Sequence, residues 1–247
     1  MNWSFQLYSA RNFQPWEGVV ETLARLGYKE VEGFGGVYAD PAGFRRLLDA
    51  NGLSMPTGHF PIDMLEKDFD GARRIADAFG VKLMVCPHLV ADQRPADAEG
   101  WRAFGRRLAT VGETAKKAGY GFAWHNHDFE FKPLADGSLP QAHIFDAAPD
   151  LGWEIDVAWV VRGGGDPLKW IADHASRIVS VHVKDIAPAG EATDEDGWSD
   201  VGHGTIDWRG IMSALRGTPA RHFIMEHDKP SDYERFARRS IEAANTF

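Results

Sequence analysis

Gly121-Phe-Ala-Trp-His-Asn-His-Asp-Phe-Glu-Phe131 is an apolar run that ends abruptly in two histidines, an aspartate and a glutamate. A strand alternates its side chains between two faces, so Ala123, His125 and His127 share one face, and Trp124 and Asn126 share the other. Imidazoles gathered at a strand end are costly unless they bind something, because each ring nitrogen wants a partner. The pattern recurs in Trp153-Glu-Ile-Asp156, Ile178-Val-Ser-Val-His-Val-Lys-Asp185 and Phe223-Ile-Met-Glu-His-Asp228. The same alternation pairs Glu154 with Asp156, His182 with Lys184, and Glu226 with Asp228. A fold that brings these four strand ends together is what the rest of the chain must supply.

Working outward, apolar strand patterns are expected at Phe5–Ser9, Tyr28–Gly33, Leu53–His59, Val81–Cys86, from Gly121, at Trp153–Trp159, Ile178–Val183 and His222–Glu226. Helical periodicity fills the gaps, with stripes spaced by three and four. These helices are predicted from Pro15 to Leu26, from Pro41 to Gly52, over Leu65–Phe79, Ala96–Ala118, Gln141–Ala147, Asp166–His174, Asp207–Leu215 and Asp232–Ala244. A polar, Gly-rich loop is expected over Ala187–Gly204. Eight strands alternating with eight helices imply a parallel sheet. At this length the closed (β/α)8 TIM barrel, an α/β single domain over residues 1–247, is the standard solution. An open doubly wound sheet would show a Gly-rich turn after its first strand, and Tyr8-Ser-Ala-Arg-Asn12 has none.

The bulk composition narrows the function classes. A chain with 44% hydrophobic and 26% charged residues has the material for a core and reads as an ordinary soluble protein. No basic segment followed by an apolar run opens the chain, and no apolar stretch has the length of a membrane span, so no signal peptide and no membrane association are expected. The single cysteine, Cys86, rules out an internal disulfide and fits a reducing, cytoplasmic setting. A net charge of −9 argues against a nucleic-acid partner, because affinity for phosphates comes from clustered Lys and Arg.

In a barrel the C-terminal strand ends open on one mouth. The residues expected there are Tyr8, Glu32, His59, His88, His125, His127, Asp156, His182, Lys184 and Glu226. Histidine nitrogens mixed with carboxylate oxygens from separate strands suit a divalent cation such as Mn2+, Mg2+, Co2+ or Zn2+. Such a site supports proton abstraction next to a carbonyl, with Glu226 or one of the histidines, His125 or His127, as the base. Tyr8 and Trp159 are candidates to pack on the apolar face of a small sugar, although either could equally fill the barrel. Glu32, His59, His88, Glu130 and Lys184 complete the candidate substrate contacts.

The phrases Gln6-Leu-Tyr-Ser-Ala-Arg11, Trp124-His-Asn-His-Asp-Phe-Glu-Phe131, Glu154-Ile-Asp-Val-Ala-Trp159, Val181-His-Val-Lys-Asp185 and Val201-Gly-His-Gly-Thr-Ile-Asp-Trp208 resemble those of the sugar phosphate isomerase/epimerase family. This family comprises xylose isomerase-like TIM barrels and includes inosose dehydratases and ketose 3-epimerases. The resemblance spans nearly the whole chain. It implies a divalent metal at the mouth held by Asp156, His182 and Glu226, and association into dimers or tetramers. The epimerases place a glutamate at the end of strand five, where this chain has His125. Either His125 takes over that coordination, or His127 or Glu130 supplies the fourth ligand. The resemblance implies an isomerase or epimerase of a sugar or keto-sugar. The alternatives are a lyase of inosose or 3-keto-glycosides on the same metal and, more remotely, a metal-dependent endonuclease. Fold likeness does not choose among these reactions.

Overall fold

The computed structural model describes residues 2–247. Eight strands close into a barrel: β1 (Trp3–Gln6), β2 (Glu30–Gly33), β3 (Ser54–His59), β4 (Leu83–Cys86), β5 (Gly121–His125), β6 (Gly152–Asp156), β7 (Ile178–Val183) and, after the short ladder β8 (Asp185–Ile186) and β9 (Trp198–Ser199), β10 (His222–Met225). Every barrel pair is parallel, and β10 lies between β7 and β1, which completes the circle. The helices between the strands are α1 (Trp16–Leu26), α2 (Pro41–Ala50), α3 (Ile62–Lys67), α4 (Phe69–Phe79), α5 (Ala98–Lys117), α6 (Pro140–Ala147), α7 (Val157–Arg162), α8 (Pro167–His174), α9 (Trp208–Leu215) and α10 (Tyr233–Ala244). Among the described residues no helix is long and apolar enough to cross a membrane. The expected closed barrel is the observed fold.

Two of the predicted elements divide at aspartates. The expected helix over Leu65–Phe79 is α3 and α4, separated where the Asp68 carboxylate accepts the Gly71 N–H at 3.0 Å. The expected strand Trp153–Trp159 stops at Asp156, whose side chain accepts the Trp159 N–H at 2.8 Å and starts α7. An N-cap of this kind satisfies an otherwise free helix donor, and it outweighs the strand preference of Val157, Val160 and Val161. The device recurs with glycine three residues on, from Asp40 to Gly43, Asp97 to Gly100 and Asp207 to Gly210.

Packing occurs in two layers. The outward faces of the strands join the helices in one continuous apolar core, where Trp124 meets Phe104 edge-on at 5.2 Å and Trp153 meets Phe145 at 5.2 Å. Helix α5 lies close enough to α6 that a Cβ on Gly105 would sit 2.7 Å from the Ile144 carbonyl oxygen. Inside the barrel the apolar cluster is small: Leu83, Val85 and Ala123, with Val179 against them. The remaining inward positions are largely polar and buried, including Ser4, Gln6, Glu32, Thr57, His59, His125, Glu154, Ser180 and His182. Filling a barrel interior with ionisable groups costs desolvation that aliphatic side chains would not incur.

Candidate metal centre and active site

Register places the inward residues side by side. His125 lies opposite Glu154, and Asp156 opposite His182. Glu226 follows the last residue of β10, where its N–H bonds the Val183 carbonyl at 3.2 Å. His125, Asp156, His182 and Glu226, all buried, can each present one ligand atom with every pair within 4.8 Å. His182 Nδ1 is 3.0 Å from Glu226 Oε2 and 3.9 Å from Asp156 Oδ2. Asp156 Oδ1 caps α7, while its buried Oδ2 has no hydrogen-bond partner. Two imidazoles and two carboxylates, one with a free buried oxygen, form a donor set that fits a divalent cation. Of the three candidates for a fourth ligand, His125 joins this set. The Glu130 carboxylate instead accepts the His127 N–H at 2.9 Å, and His127 stands beside the set.

Burial pushes the Asp156 carboxyl up to about 7, against the pull of Lys184 and His182. Burial also raises Glu226, but Lys184 and His182 outweigh it and hold this carboxylate well below its usual range. Lys184 is buried with its ammonium 3.0 Å from Glu226 and 3.7 Å from Asp156, and it also pairs with Asp228. Desolvation would lower its pKa, but those carboxylates carry it above the ordinary lysine value. Burial and the neighbouring His182 lower His125 to about 4. His127 falls well below its ordinary value through burial and the adjacent His125 and His88. Both rings are therefore neutral near pH 7, the form that binds a metal or accepts a proton. Burial disfavours a charged His182, yet Glu154 and Glu226 raise it well above its usual range. A cation on Nδ1 would take the place of that proton.

A cavity of about 430 Å3 opens over the set. Of the residues expected at the mouth, Tyr8, His59, His88, His125, His127 and Glu226 line it, and Asp228 and Phe34 join them. Trp159 lies behind His127 at a ring distance of 5.2 Å and forms no part of the lining, and Lys184 is sealed beneath. Glu32 and Glu130 are both fully buried and face protein groups. Burial pushes Glu130 up to about 8.

The structure adds residues that the sequence reading left without a role. Glu154 was placed on the Asp156 face, and it contacts His59, His182 and Ser180. Asn126 faces outward, accepts the Trp153 indole N–H at 2.8 Å and the Asp156 N–H at 3.0 Å, and donates to the Asp156 carbonyl at 3.1 Å. Trp198, in the long loop, stands 4.7 Å from Trp159 and carries the Arg162 guanidinium 3.2 Å over its ring. Alternation sets Glu154 and Asp228 on the same faces as Asp156 and Glu226, but nothing in the chain pattern points to Asn126 or Trp198.

A family model described as Xylose isomerase-like TIM barrel matches residues 20–246. The rhizopine catabolism protein MocC of Rhizobium meliloti is 25% identical over 243 residues, with 85% of this chain and 74% of that protein covered. A sugar phosphate isomerase/epimerase from Parabacteroides distasonis superposes with a TM-score of 0.82 at 21% identity, over 98% of this chain and 94% of that one. The IOLI protein, solved with a zinc atom bound, gives a TM-score of 0.77 at 18% identity, over 100% and 96%. At these identities the two structures show the shared fold.

Proposed function

Because the chain belongs to the Xylose isomerase-like TIM barrel family, we propose that it is a divalent-metal-dependent isomerase or epimerase of a small sugar or keto-sugar. The observation that supports this reading is the buried set His125, Asp156, His182 and Glu226 at the floor of the mouth cavity, with Asp156 Oδ2 free of hydrogen bonds. A divalent cation held by these four residues would supply Lewis-acid polarisation of a substrate carbonyl.

The chain's own groups divide the remaining work. Glu226 lines the cavity in its ionised form and is the carboxylate placed to remove a proton next to the carbonyl. His127, neutral and with a buried Nδ1 free of partners, lines the same cavity and can hold a proton for return. Return to the neighbouring carbon gives isomerisation, and return to the opposite face of the same carbon gives epimerisation. Tyr8 and Phe34, edge-on at 5.5 Å, with Pro61 and Pro87 form an apolar wall for the C–H face of a sugar. Among the described residues no Lys or Arg lines the cavity, which favours an unphosphorylated polyhydroxy ketone over its phosphate ester.

The test offers ketoses, inososes and 3-keto-sugars to the enzyme in D2O and follows them by NMR. The true substrate should take up deuterium beside its carbonyl and yield a stereoisomer or an aldose–ketose partner. An unsaturated or deoxy product would assign the enzyme to the lyases instead. Full activity after exhaustive chelation would remove the metal from the reading.

A further inference from the structure

Below the mouth, the barrel interior holds a chain of hydrogen bonds whose directions can be assigned from one end. The Tyr8 backbone N–H donates to Gln6 Oε1 at 3.0 Å, which turns the Gln6 NH2 group inward. That NH2 group donates to Glu32 Oε1 at 2.9 Å and stands 3.4 Å from His59 Nδ1. Burial would lower the His59 pKa, and Glu32 and Glu154 carry it up to about 9. A second ring proton at Nδ1 would nevertheless oppose the Gln6 donor, so geometry favours Nδ1 as an acceptor and the proton on Nε2. His59 Nε2–H then donates to Glu154 Oε1 at 2.9 Å, and Ser180 Oγ donates to Glu154 Oε2 at 2.7 Å. His182 Nε2 is left facing Glu32 Oε1 at 2.7 Å, with Glu154 Oε1 at 3.1 Å. Both are acceptors, so Nε2 carries a proton, while Nδ1 faces the carboxylates of Asp156 and Glu226, where a cation would take the place of its proton.

From this network we infer that Glu32 is a positioning residue, which fixes the tautomer and ring orientation of the ligand His182, with Glu154 in support. The inference rests on the proposed mouth metal and reassigns Glu32, expected from the sequence to touch substrate. Glu32 is fully buried, its Oε1 also takes the Gln6 amide and lies 3.0 Å from His59 Nε2, and Glu32 is not among the residues that line the cavity. A carboxylate behind a ligating imidazole makes the ring a stronger donor and removes its rotational freedom. Because the chain of donors begins at Tyr8, which lines the cavity, the orientation of the ligand is tied to the backbone that carries a substrate-facing side chain.

The experiment compares the wild type and Glu32→Gln by titrating chelator-stripped protein with Zn2+ and Co2+, and by measuring KM for substrate at saturating metal. Zinc affinity is expected to fall roughly 10–100-fold, with KM changed less than about twofold. In the Co2+ protein, the exchangeable N–H of His182 should give a hyperfine-shifted proton resonance that moves or is lost in the variant. Glu154→Gln should show the same changes at smaller size, and it carries the test if Glu32→Gln fails to fold. Unchanged zinc affinity and an unmoved resonance in the folded variants would overturn the inference. A raised KM with intact metal affinity would overturn it too, by returning Glu32 to the substrate. Wild-type protein that binds neither metal would overturn the mouth site itself, and with it this inference.

Discussion

Strand β6 carries Trp153 and Ile155 outward and Glu154 and Asp156 inward, and all four are fully buried. Its neighbours repeat the division. Trp124, Val181, Val183 and Met225 pack against the helices, while His125 and His182 face the barrel axis and Glu226 stands at its mouth. On the outer face, each large side chain contributes about 1.5–3 kcal/mol by leaving water. On the inner face the same burial strips water from ionisable groups, and the only return in the protein itself is mutual pairing, which seldom repays desolvation. The barrel's stability comes from outside its walls, and its polar interior is kept at some expense to stability.

Glu226→Gln should show the division most sharply. Removing the candidate base and a ligand together should lower deuterium exchange into substrate by about a thousandfold or more, since each factor of ten is about 1.4 kcal/mol. Metal content must be measured alongside to separate the two roles. The drop in unfolding free energy should be smaller than for an outer-face truncation, and a larger drop would break the comparison.

Trp124→Ala is the outer-face counterpart. Trp124 is fully buried against Phe104, and its loss should cost about 3–5 kcal/mol in denaturant unfolding. The remaining folded enzyme should keep its metal content and a kcat within about twofold. A kcat that falls in step with stability would show that the two faces are not separable.

Asn126 sharpens the picture because it belongs to both layers, joining the Trp153 indole to the backbone of Asp156. Asn126→Ala leaves buried groups unpaired and should cost about 1–3 kcal/mol. It should also weaken zinc binding, read by competition with a chromogenic chelator, where an outer truncation such as Trp124→Ala would not.

The smallest expected effect concerns Glu130, behind the mouth. Its folded pKa, raised to about 8, lies above the ordinary value of 4.5, so folding favours the protonated carboxyl. Its contribution to stability is full below about pH 4.5 and is lost as pH rises through 8. Glu130→Gln keeps an acceptor for the His127 N–H and cannot ionise. Its melting temperature should exceed that of the wild type by several degrees above pH 8, at about 2–4 °C per kcal/mol for a chain of this size. The two curves should converge toward pH 5.

The inward face was legible because alternation is a strict period. Once Gly121–His125 is a strand, His125 must share a face with Ala123, and the same rule carried Asp156, His182 and Glu226 to one mouth. The eight-fold alternation of strands and helices was legible for a similar reason. Direction and reach were not. Whether a carboxylate at the right register faces the cavity or another strand depends on side-chain rotamers and neighbours, and so Glu32 and Glu130 read as mouth residues although their carboxylates turn to Gln6, His182 and the His127 backbone. Asn126, on the outward face, serves the site through the backbone of another strand, a contact with no trace in local sequence. Strand and helix ends were missed at Asp68 and Asp156, where one side chain's bond to an amide three residues on overrides the propensity of the residues between.

Asp156 gives its two oxygens different employers. Oδ1 holds the first turn of α7 through the Trp159 amide, and Oδ2 stands free of hydrogen bonds within the candidate metal set. Trp159 in turn lies tilted behind His127 and edge-on to Trp198 of β9. An ion captured by Oδ2 would therefore immobilise the carboxylate that anchors this turn, and with it the indole that backs His127 of the cavity lining. Loading a metal and stiffening this side of the site would become one event, and the exchange rate of a single backbone amide, that of Trp159, would serve as its gauge.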